Sequence, residues 1–230
     1  MRELLSSSVY FGVFISLGAY LLGQALRRRT GLAIFNPLLV AVVLVMGALA
    51  LLGVDYADYQ RGASLIGVLL TPATICLAVP LYEQLSLLRR HPAAILCGIG
   101  AGVLASLLCV LGLSVLFGLD HQAYVTLLPK SITTAIGMDL SDTLGGMANV
   151  TVACIILTGI FGNLVASGFL KLCRVTDPIA IGLAIGTSSH AVGTARAREL
   201  GKTQEAMSSL SIAVAGLMTV VAASIFAMIY

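Results

Sequence analysis

Six stretches of the chain are apolar with little interruption: Val9 to Leu26, Ala33 to Val54, Ser64 to Leu88, Ala93 to Leu119, Val150 to Leu172 and Ala206 to Tyr230. A helix that crosses a bilayer core takes roughly 20 residues, so each stretch predicts a transmembrane helix. Two further stretches are apolar but broken. Tyr124 to Gly146 reads YVTLLPKSITTAIGMDLSDTLGG and Asp177 to Leu200 reads DPIAIGLAIGTSSHAVGTARAREL, with hydroxyls, glycines and a cation in the middle or at the end. Irregular backbone at membrane depth is tolerated only where protein or a water-filled cavity satisfies its N–H and C=O groups. Both stretches therefore predict re-entrant or broken-helix segments that face an interior. Pro72 and Pro80 predict kinks in the third run, or a third broken helix. Asn36-Pro37 predicts a helix start, with Asn as the cap and Pro in the first turn.

Lys and Arg collect on the cytoplasmic side of short loops, and their placement chooses between dipping and crossing. If both broken stretches dip and return, Arg27, Arg28, Arg29, Arg89, Arg90, Lys171, Arg174, Arg196, Arg198 and Lys202 lie inside. Arg2 and Arg61 lie outside and Lys130 within the membrane, a bias of ten to two. If both crossed, Lys171 and Arg174 would change sides and the bias would fall to eight against four. The expected fold is an all-α polytopic membrane protein of about six spans plus two re-entrant segments of opposite orientation. It is expected as a single domain over residues 1–230 with both termini outside the cytoplasm. Arg27 to Arg29 follow the first apolar run and no small-residue cleavage pattern accompanies it, so this run is expected to stay as a helix.

Composition agrees with a lipid environment. Of 230 residues 59% are hydrophobic and 10% charged, against a usual quarter in soluble domains. A mean hydropathy of +1.04 leaves too few polar residues to cover a soluble surface. A net charge of +3 supplies no basic face for nucleic acid. Cys76, Cys97, Cys109, Cys154 and Cys173 lie in or beside apolar runs without C-x-x-C pairing, and are expected as small buried hydrophobes. No H-E-x-x-H, G-x-S-x-G, phosphate loop or metal spacing occurs, so neither an enzyme nor a bound cofactor is expected.

An offset of 57 residues pairs Asp120 with Asp177 and Ser131 with Ser188, and lines up Gly102, Gly159 and Gly216 in three successive spans. A broken segment followed by a span then recurs with alternating polarity, as in the inverted repeats of secondary transporters. Chance pairing in so biased a composition is the competing explanation.

Two opposed hairpins would bring two helix N-termini toward the midplane, where free N–H groups and the dipole favour an anion. The side chains suit that task. Pro129-Lys130-Ser131-Ile132-Thr133-Thr134 offers a cation and three hydroxyls; Gly186-Thr187-Ser188-Ser189-His190 offers three more and an imidazole; Gly193-Thr194-Ala195-Arg196 adds a guanidinium able to grip a carboxylate with two prongs. A lysine at membrane depth costs roughly 3 kcal/mol on insertion scales, so Lys130 calls for a partner or a function unless it snorkels to the surface. His190 reads as a substrate contact or proton carrier, or as a hydrogen-bonded interior residue. Arg196 and Arg198 also fit an ordinary cytoplasmic loop. Glu83 reads as a coupling carboxylate or as a partner of Arg89 and Arg90, and Asp139 and Asp142 as part of a return arm in water.

The strings Leu128-Pro129-Lys130-Ser131-Ile132-Thr133-Thr134, Leu144-Gly145-Gly146 and Gly182 to Arg196, GLAIGTSSHAVGTAR, resemble the LrgB/CidB family, as do Asn36-Pro37-Leu38-Leu39-Val40 and Pro80-Leu81-Tyr82-Glu83-Gln84. That resemblance covers nearly the whole chain. It implies one of two functions: a carrier of small monocarboxylates such as pyruvate, glycolate or glycerate, or an antiholin-like regulator of murein hydrolase export and lysis. The implied partner is a smaller LrgA/CidA-type membrane protein, in a homo- or hetero-oligomer of the bacterial inner membrane. Carried over residue by residue, the resemblance marks Pro129, Lys130, Ser131, Thr133, Thr134, Thr187, Ser189, His190, Gly193, Thr194 and Arg196, and Asn36 and Glu83 more weakly. His190 and Glu83 are the candidates for coupling to H+ or Na+. The chain departs from the family pattern at Ala135, where proline is usual, and at Ser188, where alanine is usual.

Overall fold

The computed structural model of the protein describes residues 8–31, 35, 37–69 and 92–230, with 72, 75, 76, 79, 82, 86 and 89 between them. The described residues form nine helices and no strand: α1 (Val9–Thr30), α2 (Pro37–Leu52), α3 (Tyr56–Gly67), α4 (Pro92–Phe117), α5 (His121–Leu127), α6 (Thr134–Thr143), α7 (Ala148–Leu172), α8 (Pro178–Leu200) and α9 (Lys202–Phe226). The chain divides into two compact units, Met1–Ala73 and Thr74–Tyr230. Asn36, Pro80 and Glu83 lie outside the described residues, as does most of the Ser64 to Leu88 run. The helix that holds the start of that run, α3, begins at Tyr56, ahead of the apolar stretch.

In the first unit α1 lies against both α2 and α3. Gly23 abuts the backbone of Pro37, and Gly12 abuts the backbone of Tyr59 and Ala63, so these glycines let the helix axes come close. Ala19, Ala41 and Val45 form the small core, and the Ser16 and Tyr59 hydroxyls meet at 2.9 Å. Gly31, at φ 67°, ends α1 and donates its N–H to the Arg27 carbonyl; the three arginines of that last turn also favour the negative end of the dipole.

In the second unit α4, α7 and α9 have 26, 25 and 25 residues, long and apolar enough to cross a membrane. At 1.5 Å per residue each spans about 38 Å, more than the roughly 30 Å hydrocarbon core. Ile95, Ile99, Val103, Leu107 and Val110 form one buried stripe of α4 at helical spacing.

Both broken stretches are hairpins. In the first, α5 and α6 flank the turn at residues 128–133. The Thr151 hydroxyl on α7 reaches both arms, 2.8 Å from the Thr126 carbonyl and 2.6 Å from Ser141 Oγ. The second is hidden within α8, whose helix is interrupted at His190 (φ 41°, ψ −143°). A Cβ placed on Gly193 would touch Ile185 and Ser189, and Ala197 packs with Ile185. Residues eight and twelve positions apart meet only if the chain folds back on itself at the break.

The hairpins enter from opposite ends of the same three helices. Along α9, the second hairpin meets Gln204, Met207, Ser208 and Ser211 through Gly182 and Gly186, while the first meets Gly216 through Ile136 and Phe226 through Tyr124. Along α7, the first meets Thr151 and Ile155, and the second runs from Ile155 through Gly159 and Asn163 to Ser167. On α4 they meet between Gly102 and Ser106.

Positions 57 residues apart do the same work. Asp120 caps α5 by accepting from the Ala123 N–H at 2.7 Å, and Asp177 caps α8 by accepting from Ala180 at 2.8 Å. Thr151 and Ser208 each bond to the hairpin that precedes their own span. Gly159 receives the His190 ring and Gly216 receives Ile136, so each span opens to the hairpin of the other half.

The cysteines correct one expectation. All five are free thiols, but Cys76, Cys97, Cys109 and Cys173 are exposed and Cys154 is half-buried. A lipid-facing surface accepts a small apolar side chain as readily as a core does, so hydropathy does not separate the two.

The close approach of the second hairpin to α9 at Gly186 is expected to tolerate no side chain. Gly186→Ala would overlap Ser211 Oγ and the Ser208 carbonyl, and is expected to lower stability by about 1–3 kcal/mol, whereas Gly112→Ala, with open space around it, changes little. Thermal unfolding of the two variants in detergent checks the difference.

Candidate functional site

The first hairpin places its cation among hydroxyls. Lys130 Nζ donates to Ser131 Oγ at 3.3 Å and to Ser106 Oγ on α4 at 3.4 Å, and the two hydroxyls are 2.9 Å apart. Lys130 is half-buried and, among the described residues, forms no ion pair with a carboxylate. Ser131 is buried beside it. Thr133 precedes α6 as its N-cap residue in extended conformation, yet its side chain makes no capping bond and its Oγ1 is buried without a partner. Thr134, the first residue of α6, is half-buried.

The second hairpin brings Thr187 toward the same face of α4. A Cβ on Gly102 would lie 2.8 Å from Thr187 Cγ2, and Gly102 is one helical turn from Ser106. Thr187 is 93% buried by its 7% exposure, and its hydroxyl is unpaired. Two buried hydroxyls without a partner among the described residues thus occur on the two hairpins. Each such group costs on the order of 1–3 kcal/mol until it finds a partner.

Other residues of the second hairpin are already engaged. His190 Nε2 donates to the Ile155 carbonyl at 2.9 Å, with the ring against Gly159. This bond holds the backbone break, whose left-handed φ costs a non-glycine residue about 1–3 kcal/mol. Ser189 Oγ lies against Gly162 and 3.0 Å from Ser188 Oγ. Thr194 Oγ1 bonds to Ser208 Oγ at 2.7 Å and donates to the His190 carbonyl at 3.1 Å. Arg196 donates from Nε to Ser167 Oγ at 2.8 Å and pairs with Glu199, on the Lys202 side of the break, so it does not join Lys130. Arg198 pairs with Glu205. Asp139 and Asp142 are exposed on α6.

Residues 16–229 match the LrgB-like family. The chain belongs to the LrgB-like family. It is an integral membrane protein of that type, and the two strings richest in hydroxyls form the two hairpins of its second unit. No solved structure matches the chain.

Three residues of this LrgB-like unit escaped notice in the sequence. Asn163, on α7, is buried; its Nδ2 donates to the Val192 carbonyl at 2.9 Å, just past the break, and its Oδ1 has no partner. A lone amide within an apolar span was the available signal. Ser106 and Ser167 gave none, since single serines in apolar helices are commonplace.

The hydroxyls of Thr187 and Thr194 are expected to respond differently to removal. Thr187→Val deletes an unpaired group and is expected to leave thermal stability unchanged or raised, while Thr194→Val breaks the Ser208 contact and is expected to lower it by about 1 kcal/mol or more. Unfolding curves of the detergent-solubilised variants compare the two.

Proposed function

We propose that the protein carries small monocarboxylates, such as pyruvate, glycolate or glycerate, across the bacterial inner membrane, acting alone or with a small LrgA/CidA-type partner. The observation that carries this reading is the half-buried Lys130 ammonium with hydroxyl neighbours and no carboxylate among the described residues. A cation held in this way is a ready partner for a carboxylate. The unpaired hydroxyls of Thr133 and Thr187 supply neutral donors from the two opposed hairpins. Small relative movements of the hairpins would expose the guest to one side and then the other, as in transporters built from inverted repeats.

In this proposal Lys130 neutralises the carboxylate, and Ser131, Thr133 and Thr187 orient it. Arg196, tied to Ser167 and Glu199, acts at the approach rather than on the bound guest. The Lys202 end of the unit holds Lys171, Arg174, Arg196, Arg198 and Lys202, which supports a cytoplasmic placement for that end.

Reconstituted liposomes, with and without the small partner, are expected to take up pyruvate or glycolate with saturation. Lys130→Ala is expected to abolish that uptake; unchanged uptake by the variant removes Lys130 from the role. Leakage without saturation in the unaltered protein would favour the lysis-regulator reading instead.

A further inference from the structure

The hydroxyls and ammonium around Lys130 can be counted. The ammonium has three N–H donors, two of which point to Ser106 Oγ and Ser131 Oγ. The two serines share one hydrogen bond, which uses one hydroxyl proton and leaves the other free. Among the described residues the cluster therefore retains one charged N–H and one O–H. Two donors side by side match the two oxygens of a carboxylate.

Ser131 neighbours Lys130 in the chain, so their contact follows from local geometry. Ser106 is different. It comes from α4, 24 residues earlier than Lys130, and is the hydrogen-bond partner that attaches this ammonium to a spanning helix. A lysine ammonium on a four-carbon stem is otherwise free to turn toward water, the snorkelling outcome. Four residues from Ser106, on the same face of α4, Gly102 makes room for Thr187 of the opposite hairpin. One turn of α4, about 5.4 Å, thus separates the attachment points of the two hairpins.

Resting on the carrier reading above, we infer that Ser106 is a positioning residue of the anion site: it holds the Lys130 ammonium on α4 beside the Ser131 hydroxyl, one helical turn from where the opposite hairpin meets α4. It acts through Lys130 and Ser131. Ser106 is not the first hairpin's sole tie to the spanning helices, since Tyr124 bonds to α9 and Thr151 of α7 bonds to Thr126.

The test is uptake of pyruvate and glycolate by full-length protein in liposomes, comparing the unaltered chain with Ser106→Ala, Ser106→Thr and Lys130→Ala. Loss of one hydrogen bond to a charged group is worth about tenfold in affinity. Ser106→Ala is expected to raise KM about tenfold with the maximal rate within about twofold, and Ser106→Thr, which keeps the hydroxyl, is expected to restore KM. Thermal unfolding of all variants separates a binding effect from a folding one. Saturable uptake that Lys130→Ala abolishes and Ser106→Ala leaves unchanged overturns the role of Ser106 and leaves the carrier reading standing. An equal loss in Ser106→Ala and Ser106→Thr, with intact folding, also overturns it, because the hydroxyl would then not be the active feature. Uptake indifferent to Lys130→Ala overturns both.

Discussion

A polypeptide that turns back inside a membrane leaves main-chain groups without water to bond, and the second unit is organised around satisfying them. The break at His190 is held by its own ring, which donates to the Ile155 carbonyl, and by Asn163, which donates to the Val192 carbonyl. The first hairpin is held by Thr151 and by a Met147 N–H that donates to Thr126 Oγ1. Each of these bonds joins a hairpin to α7 or to its N-cap residue Met147. Glycines at the crossings let the hairpins approach closely enough to form them.

The two hairpins are satisfied to different degrees. The second is bonded along its length, from the Ile155 carbonyl at its tip through Asn163 to Ser167 on α7 and Glu205 and Ser208 on α9. The first carries in its turn an ammonium and a Thr133 hydroxyl that, among the described residues, have no counter-ion and no partner respectively. Under the carrier proposal, residues engaged with the scaffold would hold the site in shape, and those left unengaged would be available to a guest. In the proposed carrier this distinction puts Thr194, Arg196 and the Nε2 of His190 in support, and the Lys130 cluster, Thr133 and Thr187 at the guest.

The correspondence at 57 residues has physical content as well as letters. Matching N-caps at Asp120 and Asp177, matching pins at Thr151 and Ser208, and matching recesses at Gly159 and Gly216 occur in halves that enter from opposite ends. The halves are not in equivalent states. His190, which holds the second tip, has Thr133 as its counterpart at the same offset, and there the hydroxyl is unpaired.

Hydropathy, turn-forming residues and the distribution of Lys and Arg were enough to read from the sequence an all-helical membrane chain with two broken segments. They act locally, through the 3.6-residue period and the cost of burying charge, so a linear string records them. The motif around Lys130 to Thr134 was legible for the same reason, since a cation among hydroxyls is conspicuous in an apolar run. Asn163 was legible in principle and Ser106 was not, because nothing near Ser106 in the chain distinguishes it from Ser114 or Ser167. Only the folding of α5, α6 and α8 against three spans decided that Ser106 would meet Lys130, that Gly102 would meet Thr187, and that Arg196 would be drawn to Ser167 instead of to the tips. Such contacts join residues 24 to 85 positions apart, and they are set by which faces of the helices pack together.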